Sequence, residues 1–281
     1  MSFLDRIAAC NNADLSRFVP FRAGGALVGH IHRDRVAELA PFTEVFVADA
    51  GGIALAPALD TAEKRTRAVD AALRALRQRG VVKGWRDERY PVHPLDGGPM
   101  LLAMERAAVP HFGVGANGVH MNGFVRRGDG LHLWVARRAQ DKPTYPGMLD
   151  NTVAGGQPIS IGLKENLIKE CREEAGIPRA IAERAQPVGT VSYVFEEEAT
   201  LKPDVQYCFD LEMPADFTPR NTDGEIGEFM LWPIERVAET VRDSAAFKFN
   251  CNLVIIDFLV RHGLIPPEHP DYVAICRGLR R

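Results

Sequence analysis

Apolar and polar residues alternate along much of the second half of the chain, and this pattern predicts β-strands. Residues 119–125 and 131–136 alternate on either side of a Gly128-Asp129-Gly130 turn, which is typical of a β-hairpin. Three more alternating segments predict strands at about 189–195, 204–212 and 226–232. We therefore expect a β-sheet in this half of the chain.

Two segments of the same half carry apolar residues every three to four positions, which indicates helices. One spans residues 162–175 and ends at Gly176, which suits the left-handed position after a helix, while Pro178 prevents continuation. The other spans residues 248–263. The apolar face of the first helix consists of Leu163, Leu167, Ile168, Cys171 and Ala175.

The first part of the chain has a different organisation. Its patterns predict a short helix at 5–18, a turn into a helix at 26–32, a hairpin at 43–57 and a helix at 61–79. The segment 81–112 is rich in proline and glycine, so we place a domain boundary at its end. This predicts a two-domain α/β protein, with an N-terminal α+β domain of unknown role (1–112) and a C-terminal domain (113–281).

Composition narrows the classes of protein to consider. The 281 residues are 46% apolar and 25% charged, as in globular proteins, and 34 basic against 37 acidic residues argue against a nucleic-acid partner. Five widely spaced cysteines without a C-x-x-C pair argue against disulfides and a zinc site. The same cysteine usage predicts a reducing, cytoplasmic setting. We expect no signal peptide and no membrane span, because no segment has the apolar length of either.

The most informative segment is Lys-Glu-Cys-Arg-Glu-Glu-Ala-Gly at 169–176. Glu170, Glu173 and Glu174 lie at i, i+3 and i+4, which places three carboxylates on one helix face, where they repel one another unless a cation lies between them. The alternative is a solvated acidic face, since such runs are common. The preceding Gly155-Gly156 pair and the hairpin favour a divalent-metal site and a phosphate ester or anhydride as substrate.

Three basic residues follow the second hairpin strand and are candidate diphosphate ligands: Arg137, Arg138 and Lys142. The alternative for each is solvated surface charge. Lys248 and Asn250 lie where a helix N-terminus attracts anions, although Asn250 also suits a helix cap. His120 alternates with apolar residues and is expected to be a packed histidine.

Residues 155–177 resemble the signature of the Nudix hydrolase family, G-x5-E-x7-R-E-U-x-E-E-x-G-U, where U is a bulky aliphatic residue. Gly155, Glu170, the Glu173-Glu174 pair and Gly176-Ile177 match, whereas Ile161 and Lys169 replace the family's glutamate and arginine. The resemblance implies a Nudix α/β/α sandwich with a mixed sheet. It also implies Mg²⁺ or Mn²⁺ held by the three glutamates, a small-molecule diphosphate substrate near Gly155-Gly156, and Glu225 as a further ligand or base.

Other segments are similar to the Nudix half of fungal thiamine pyrophosphokinases. They are 134–138, 142–151, 153–156, 223–225 and 247–251. This resemblance implies hydrolysis of thiamine diphosphate, or of damaged forms of it, to the monophosphate. An aromatic pocket for such a ligand has candidate linings in Trp134, Tyr145, Phe195 and Tyr207, each of which also suits a core position. Another substrate such as ADP-ribose, a non-catalytic ligand-sensing module, and a homodimeric state remain open.

Overall fold

The N-terminal region contains a four-stranded sheet and a separate two-stranded sheet. The computed structural model describes residues 1–281. The larger sheet has the order β2-β1-β4-β3, with β1 and β4 parallel, and the pair β5-β6 is antiparallel. The strands are β1 (Phe18–Ala23), β2 (Ala26–His32), β3 (Phe46–Asp49), β4 (Gly52–Leu55), β5 (Arg89–Val92) and β6 (Leu102–Glu105).

Four helices accompany these strands: α1 (Phe3–Ala9), α2 (Val36–Leu39), α3 (Ala62–Gln78) and α4 (Val109–Phe112). The predicted helix at 61–79 is confirmed as α3, and Thr61 caps it by accepting a hydrogen bond from the Lys64 amide. The hairpin predicted at 43–57 is confirmed as β3-β4. Two predictions are wrong. Residues 26–32 form strand β2, because β1 supplies its backbone hydrogen bonds, and the helix predicted at 5–18 ends at Ala9.

The C-terminal half contains a mixed sheet of seven strands. Its order is β11-β12-β7-β8-β13, with β10 paired to β7 and β9 paired to β8. Strands β12 and β7 are parallel, and the other pairs are antiparallel. The strands are β7 (Asn117–Arg127), β8 (Gly130–Arg138), β9 (Leu149–Asp150), β10 (Val153–Gly156), β11 (Gln186–Glu197), β12 (Thr200–Glu212) and β13 (Ile226–Pro233). The predicted hairpin and the three predicted strands are confirmed.

Helices cover both faces of this sheet, which confirms the predicted α/β/α sandwich. One face carries α5 (Leu163–Ala175) and α6 (Arg179–Ala182), and the apolar residues predicted for the first helix pack there. The other face carries α7 (Ile234–Asp243), α8 (Phe249–Arg261) and α9 (Tyr272–Gly278). None of the helices combines the length and the apolar character that crossing a bilayer requires.

The hydrophobic cores only partly follow the division of the sequence. One core lies entirely within residues 21–114. Helix α1, however, contributes Phe3 and Ile7 to the core around α8, so the first helix lies on the C-terminal sheet. The division into domains at residue 112 stays a prediction. The N-terminal region also reaches the loop before α5, because the Ile159 amide donates to the Arg89 carbonyl at 3.1 Å.

Candidate active site

Helix α5 is fixed at both ends beside strand β10. Its buried side packs on the sheet, and Gly176 ends it with a φ of 61°. At its first turn, the Asn166 side-chain amide donates to the Gly156 carbonyl at 2.8 Å. The acidic face of the helix is therefore held at a fixed distance from the Gly155-Gly156 backbone.

Two of the three predicted glutamates point into this gap. Glu174 is 6% exposed, and its Oε2 accepts a hydrogen bond from the Ala154 amide at 2.9 Å. Glu170 lies against Gly155 so closely that a Cβ added there would be 2.4 Å from its Cδ. Burial raises the pKa of Glu170, and it raises the pKa of Glu174 well above the ordinary range. Both carboxylates are thus shielded from water, and a bound cation would offset the free-energy cost of ionising them there.

The third glutamate lies further out and shares a lysine with its neighbour. Glu173 has a side chain that is 48% exposed. Lys169, which stands where the Nudix signature has arginine, lies 3.1 Å from Glu170 and 2.9 Å from Glu173. No lysine or arginine pairs with Glu174. An all-carboxylate set with one uncompensated buried member fits Mg²⁺ or Mn²⁺, which prefer oxygen ligands.

Glu225 approaches the same acids from the loop before β13. Its negative charge contributes to the raised pKa of both Glu170 and Glu174. Lys142 forms an ion pair with Glu225. Burial alone would raise the pKa of Glu225, but this pairing, aided by the charge of Arg138, lowers it. The structure therefore brings together the four predicted glutamates and Lys142, the lysine predicted to bind the diphosphate.

The two predicted arginines are occupied by protein partners. Arg138 is buried, donates to Asp150 at 3.0 Å, and donates to the carbonyls of Thr144 and Tyr145. Arg137 lies on the opposite side of the strand and donates to Glu228 at 2.6 Å. In this arrangement Arg138 holds the 144–145 loop, and direct substrate binding by either arginine stays a prediction.

Two residues that the sequence did not indicate reach the site from the N-terminal region. The Tyr90 hydroxyl lies so close to Gly156 that a Cβ added at this glycine would be 1.6 Å from it. The same added atom would be 3.5 Å from Arg106 Cζ. Neither residue belongs to a recognisable motif. Tyr90 lies in β5 and Arg106 directly follows β6, so only the tertiary fold identifies them.

A second group of potential metal ligands is formed by residues of strands β7 and β9 and of helix α8. His120, Asp150 and Cys251 have ligand atoms within 4.8 Å of one another, and all three residues are buried. Burial lowers the pKa of His120 to about 4, and the Cys251 thiol donates to Asp150 at 2.8 Å. Because Asp150 is also paired with Arg138, its charge is compensated within the protein. This group is an alternative candidate metal site to the glutamates, and its thiol and imidazole are softer ligands than carboxylates.

The start of α8 corrects one prediction. The helix begins at Phe249 with Lys248 as its N-cap, and no side chain caps it. Asn250 therefore lies inside the helix, where its amide donates to the Tyr193 hydroxyl at 3.4 Å. The charge of Lys248 lowers the pKa of Asp150, although burial opposes this effect.

Aromatic residues gather around a lysine near the 144–145 loop. The Lys202 ammonium lies 5.9 Å, 5.6 Å and 5.9 Å from the ring centroids of Tyr145, Phe195 and Phe249. Glu197 completes this aromatic cage by pairing with Lys202 at 2.6 Å. Two of the four predicted linings, Tyr145 and Phe195, thus meet here. The other two, Trp134 and Tyr207, pack in or against the core under α5.

Comparison with known proteins adds independent findings. A family model described as a domain of unknown function (DUF4743) matches residues 2–116. Nudix hydrolase 24, chloroplastic, from Arabidopsis thaliana is 44% identical over 282 residues, which cover 99% of this chain and 77% of that protein. Nudix hydrolase 20, chloroplastic, from the same plant is 44% identical over 289 residues, with the same two shares.

A solved structure also matches part of the chain, at low similarity. The Nudix domain of Shewanella oneidensis NrtR, complexed with ADP-ribose, is 14% identical with a TM-score of 0.43, and the match covers 54% of this chain and 90% of that one. The family assignment rests on the plant relatives, since they are matched over nearly all of this chain and over most of their own length. The chain therefore belongs to the Nudix hydrolase family and is a diphosphate hydrolase.

Proposed function

We propose that the protein hydrolyses thiamine diphosphate, or damaged analogues of it, to the monophosphate and phosphate. Water adds to one phosphorus, the phosphoanhydride P–O bond breaks, and a proton is released. The observation that carries the metal-dependent hydrolysis is the pair of inward-facing carboxylates, Glu170 and Glu174, held against the β10 backbone. Nudix enzymes generally use divalent metals, and we propose Mg²⁺ or Mn²⁺ for this site.

The residues of the site have separate tasks in this proposal. Glu170, Glu173 and Glu174 would hold the metal, which when bound neutralises charge on the phosphate oxygens. Glu225 is the further ligand or the base that takes the proton from water, and its pairing with Lys142 keeps it ionised for that task. Lys142, which faces the same acids, also meets the diphosphate.

The glycines contribute through their lack of a side chain. Gly155 leaves room for Glu170, and Gly156 leaves room for the Tyr90 hydroxyl. Both glycines therefore let side chains of the site lie directly against the β10 backbone. Arg137 and Arg138 remain proposed substrate ligands, and Arg138 also positions the 144–145 loop through its carbonyl contacts.

The proposal places the thiazolium at the aromatic cage. Thiazolium is a flat cation, and it would bind there by displacing the Lys202 ammonium, which occupies the faces of Tyr145, Phe195 and Phe249. Arg138 links this cage to the acidic site, because it contacts the Tyr145 carbonyl and its charge acts on Glu225. The sequence segments that resemble fungal thiamine pyrophosphokinases support the same substrate.

The cellular setting is part of the proposal. Five free cysteines suit a reducing compartment, and we propose the cytoplasm, while the two plant relatives carry the word chloroplastic in their names. The balanced charge supports a small-molecule partner over nucleic acid. A homodimer stays a prediction.

A substrate panel tests the proposal. Purified protein with Mg²⁺ is incubated with thiamine diphosphate, an oxidised thiamine diphosphate, ADP-ribose and a diadenosine polyphosphate. Products are separated by chromatography, because cleavage of ADP-ribose at its diphosphate gives two monophosphates and no free phosphate. We expect kcat/KM to be at least about 10-fold higher for the thiamine compounds, a difference of about 1.4 kcal/mol in transition-state binding. Equal or faster turnover of ADP-ribose would overturn the thiamine assignment.

A further inference from the structure

We propose that Tyr90 and Arg106 bind the diphosphate group of the substrate, so that the N-terminal region supplies one wall of the active site. This inference rests on the proposed hydrolysis of a diphosphate at the acidic helix. It adds a role for the first 112 residues, which the sequence left without one.

The two-stranded β5-β6 sheet carries both residues to the site. Tyr90 pairs with Met104 across the sheet, and its side chain is 5% exposed. The Arg106 amide donates to the Glu88 carbonyl at 2.8 Å, which fixes the end of β6. Strand β5 is in turn tied to the loop before α5 by the hydrogen bond from Ile159. The backbone geometry therefore leaves the two side chains little freedom to move away from Gly156.

Both side chains have hydrogen-bond donors that the protein does not use. The Tyr90 hydroxyl is next to Gly156 and forms no hydrogen bond within the protein, but its oxygen is not fully buried and is open to water or a ligand. The Tyr90 hydroxyl is protonated at neutral pH, as in an ordinary tyrosine, and burial raises its pKa further, so it remains a donor. The Arg106 guanidinium donates only through Nη1, to Glu88 at 2.8 Å. Its Nε and Nη2 groups are available to an anion.

The charges around Arg106 match those of a diphosphate held beside a metal. Burial alone would lower the pKa of Arg106, but the neighbouring Tyr90 phenol and the carboxylates of Glu88 and Glu170 raise it. Its own charge, in turn, is one of those that hold the pKa of Glu225 down against burial. Arg106 thus faces the acidic site without forming an ion pair with Glu170 or Glu225. In this proposal the diphosphate would lie between the Arg106 guanidinium and the metal-holding carboxylates.

A purely structural role for Arg106 is the alternative, because it also lies 5.6 Å from the Tyr90 ring centroid. The chain contains a matched control for this role. Arg74 pairs with Asp70 at 2.9 Å and lies 5.4 Å from the Trp85 ring centroid. The two arginines are similarly exposed, at 46% and 52% of the side chain. A variant of each loses one ion pair and one ring contact, but only Arg106 faces the acidic site.

The experiment compares R106A, R106K, R74A and Y90F in the full-length chain. Calorimetry with Mg²⁺ gives the Kd of methylenediphosphonate, a diphosphate that cannot be hydrolysed, and kinetics give KM and kcat for thiamine diphosphate. We expect R106A to weaken the binding of methylenediphosphonate about 10-fold to 100-fold, because hydrogen bonds to charged groups are the strong ones. R106K should restore part of this affinity, and Y90F should lower the affinity several-fold. Thermal unfolding should be similar for R106A and R74A.

The outcomes separate this inference from the proposed substrate. Equal Kd values for R106A and R74A would overturn the shared site, even if the panel favours thiamine diphosphate. If the substrate panel favours another diphosphate while R106A, unlike R74A, weakens the binding of methylenediphosphonate, the thiamine assignment fails. The role of Tyr90 and Arg106 in binding the diphosphate then stands. Failure of the unchanged protein to bind methylenediphosphonate with Mg²⁺ would overturn the inference as well.

Discussion

Replacing Glu174 with glutamine isolates the charge of the most buried acid in the site. The hydrogen bond that Glu174 accepts from Ala154 has a counterpart in the variant, because the glutamine side chain keeps one carbonyl oxygen of the same reach. The side chain also keeps its volume, so packing under α5 is preserved. The change in behaviour can therefore be attributed to the lost negative charge.

The sign of the stability effect depends on metal and pH. Without metal, burial raises the pKa of Glu174 above its ordinary value of 4.5 in the folded state. As the pH rises past that ordinary value, the unfolded chain releases a proton that the folded chain retains, so the free energy of unfolding falls until the pH exceeds the raised pKa. The E174Q variant has no ionisable group at this position, so its free energy of unfolding does not fall in this way. In EDTA at pH 8 it should be more stable than the unchanged protein.

Metal reverses this order. At a metal concentration about 100 times the Kd, binding stabilises the unchanged protein by about 2.7 kcal/mol. That corresponds to a rise in Tm of roughly 5 °C or more for a protein of this size. E174Q should gain little, and its kcat should fall by about 100-fold or more, as expected for loss of a group that stabilises charge at the reacting centre.

Thermal unfolding with EDTA and with Mg²⁺, followed by activity assays, measures these effects. E165Q is the matched control, since Glu165 lies on the same helix, is 56% exposed and pairs with Arg179. It should behave as the unchanged protein does in both conditions. The reasoning is refuted if E174Q gains as much stability from Mg²⁺ as the unchanged protein, or if it keeps full activity.

Three further predictions concern the surroundings of the acids. Gly155→Ala should displace Glu170, because the added Cβ would clash with the Glu170 carboxyl, and should lower kcat/KM by at least about 10-fold in steady-state assays. Gly162→Ala is the control, since an added Cβ there has no neighbour within 4 Å and the variant should be active. Equal activities of the two variants would contradict the close contact. Asp150→Asn should lower the free energy of unfolding by about 3 kcal/mol in urea, since it leaves buried Arg138 uncompensated, and an unchanged midpoint would argue against this pair. Phe249→Ala should raise KM for thiamine diphosphate while leaving the Kd of methylenediphosphonate unchanged, because only the thiazolium meets the aromatic cage; an equal effect on both ligands would count against that placement.

Local sequence patterns are enough to predict the elements that neighbouring residues specify. The β7-β8 hairpin follows from alternation around a glycine-rich turn, and helix α5 follows from its apolar face and Gly176. Residues 26–32 escape this reasoning, because their strand state depends on hydrogen bonds from β1. The helix predicted at 248–263 is confirmed as α8, but its N-cap is Lys248, so Asn250 lies inside the helix.

The candidate site also contains some residues that the sequence predicts and others that only the tertiary structure reveals. The spacing of Glu170 and Glu174 predicts a shared face, and the structure places both beside β10. The residue type of Arg138 suggests an anion ligand, but burial and the position of Asp150 give it a partner within the protein. Tyr90 and Arg106 could not be predicted, because they reach Gly156 only through the packing of β5-β6 on a distant part of the chain.

Titration of the metal-free protein with Mn²⁺, followed by electron paramagnetic resonance, tests the metal site most directly. It distinguishes the acidic helix from the rival group of His120, Asp150 and Cys251. We predict saturable Mn²⁺ binding by the unchanged protein and by C251A, and binding at least about 10-fold weaker in the double variant E170Q/E174Q. Binding that survives the loss of both glutamates, or that disappears in C251A, would contradict the account.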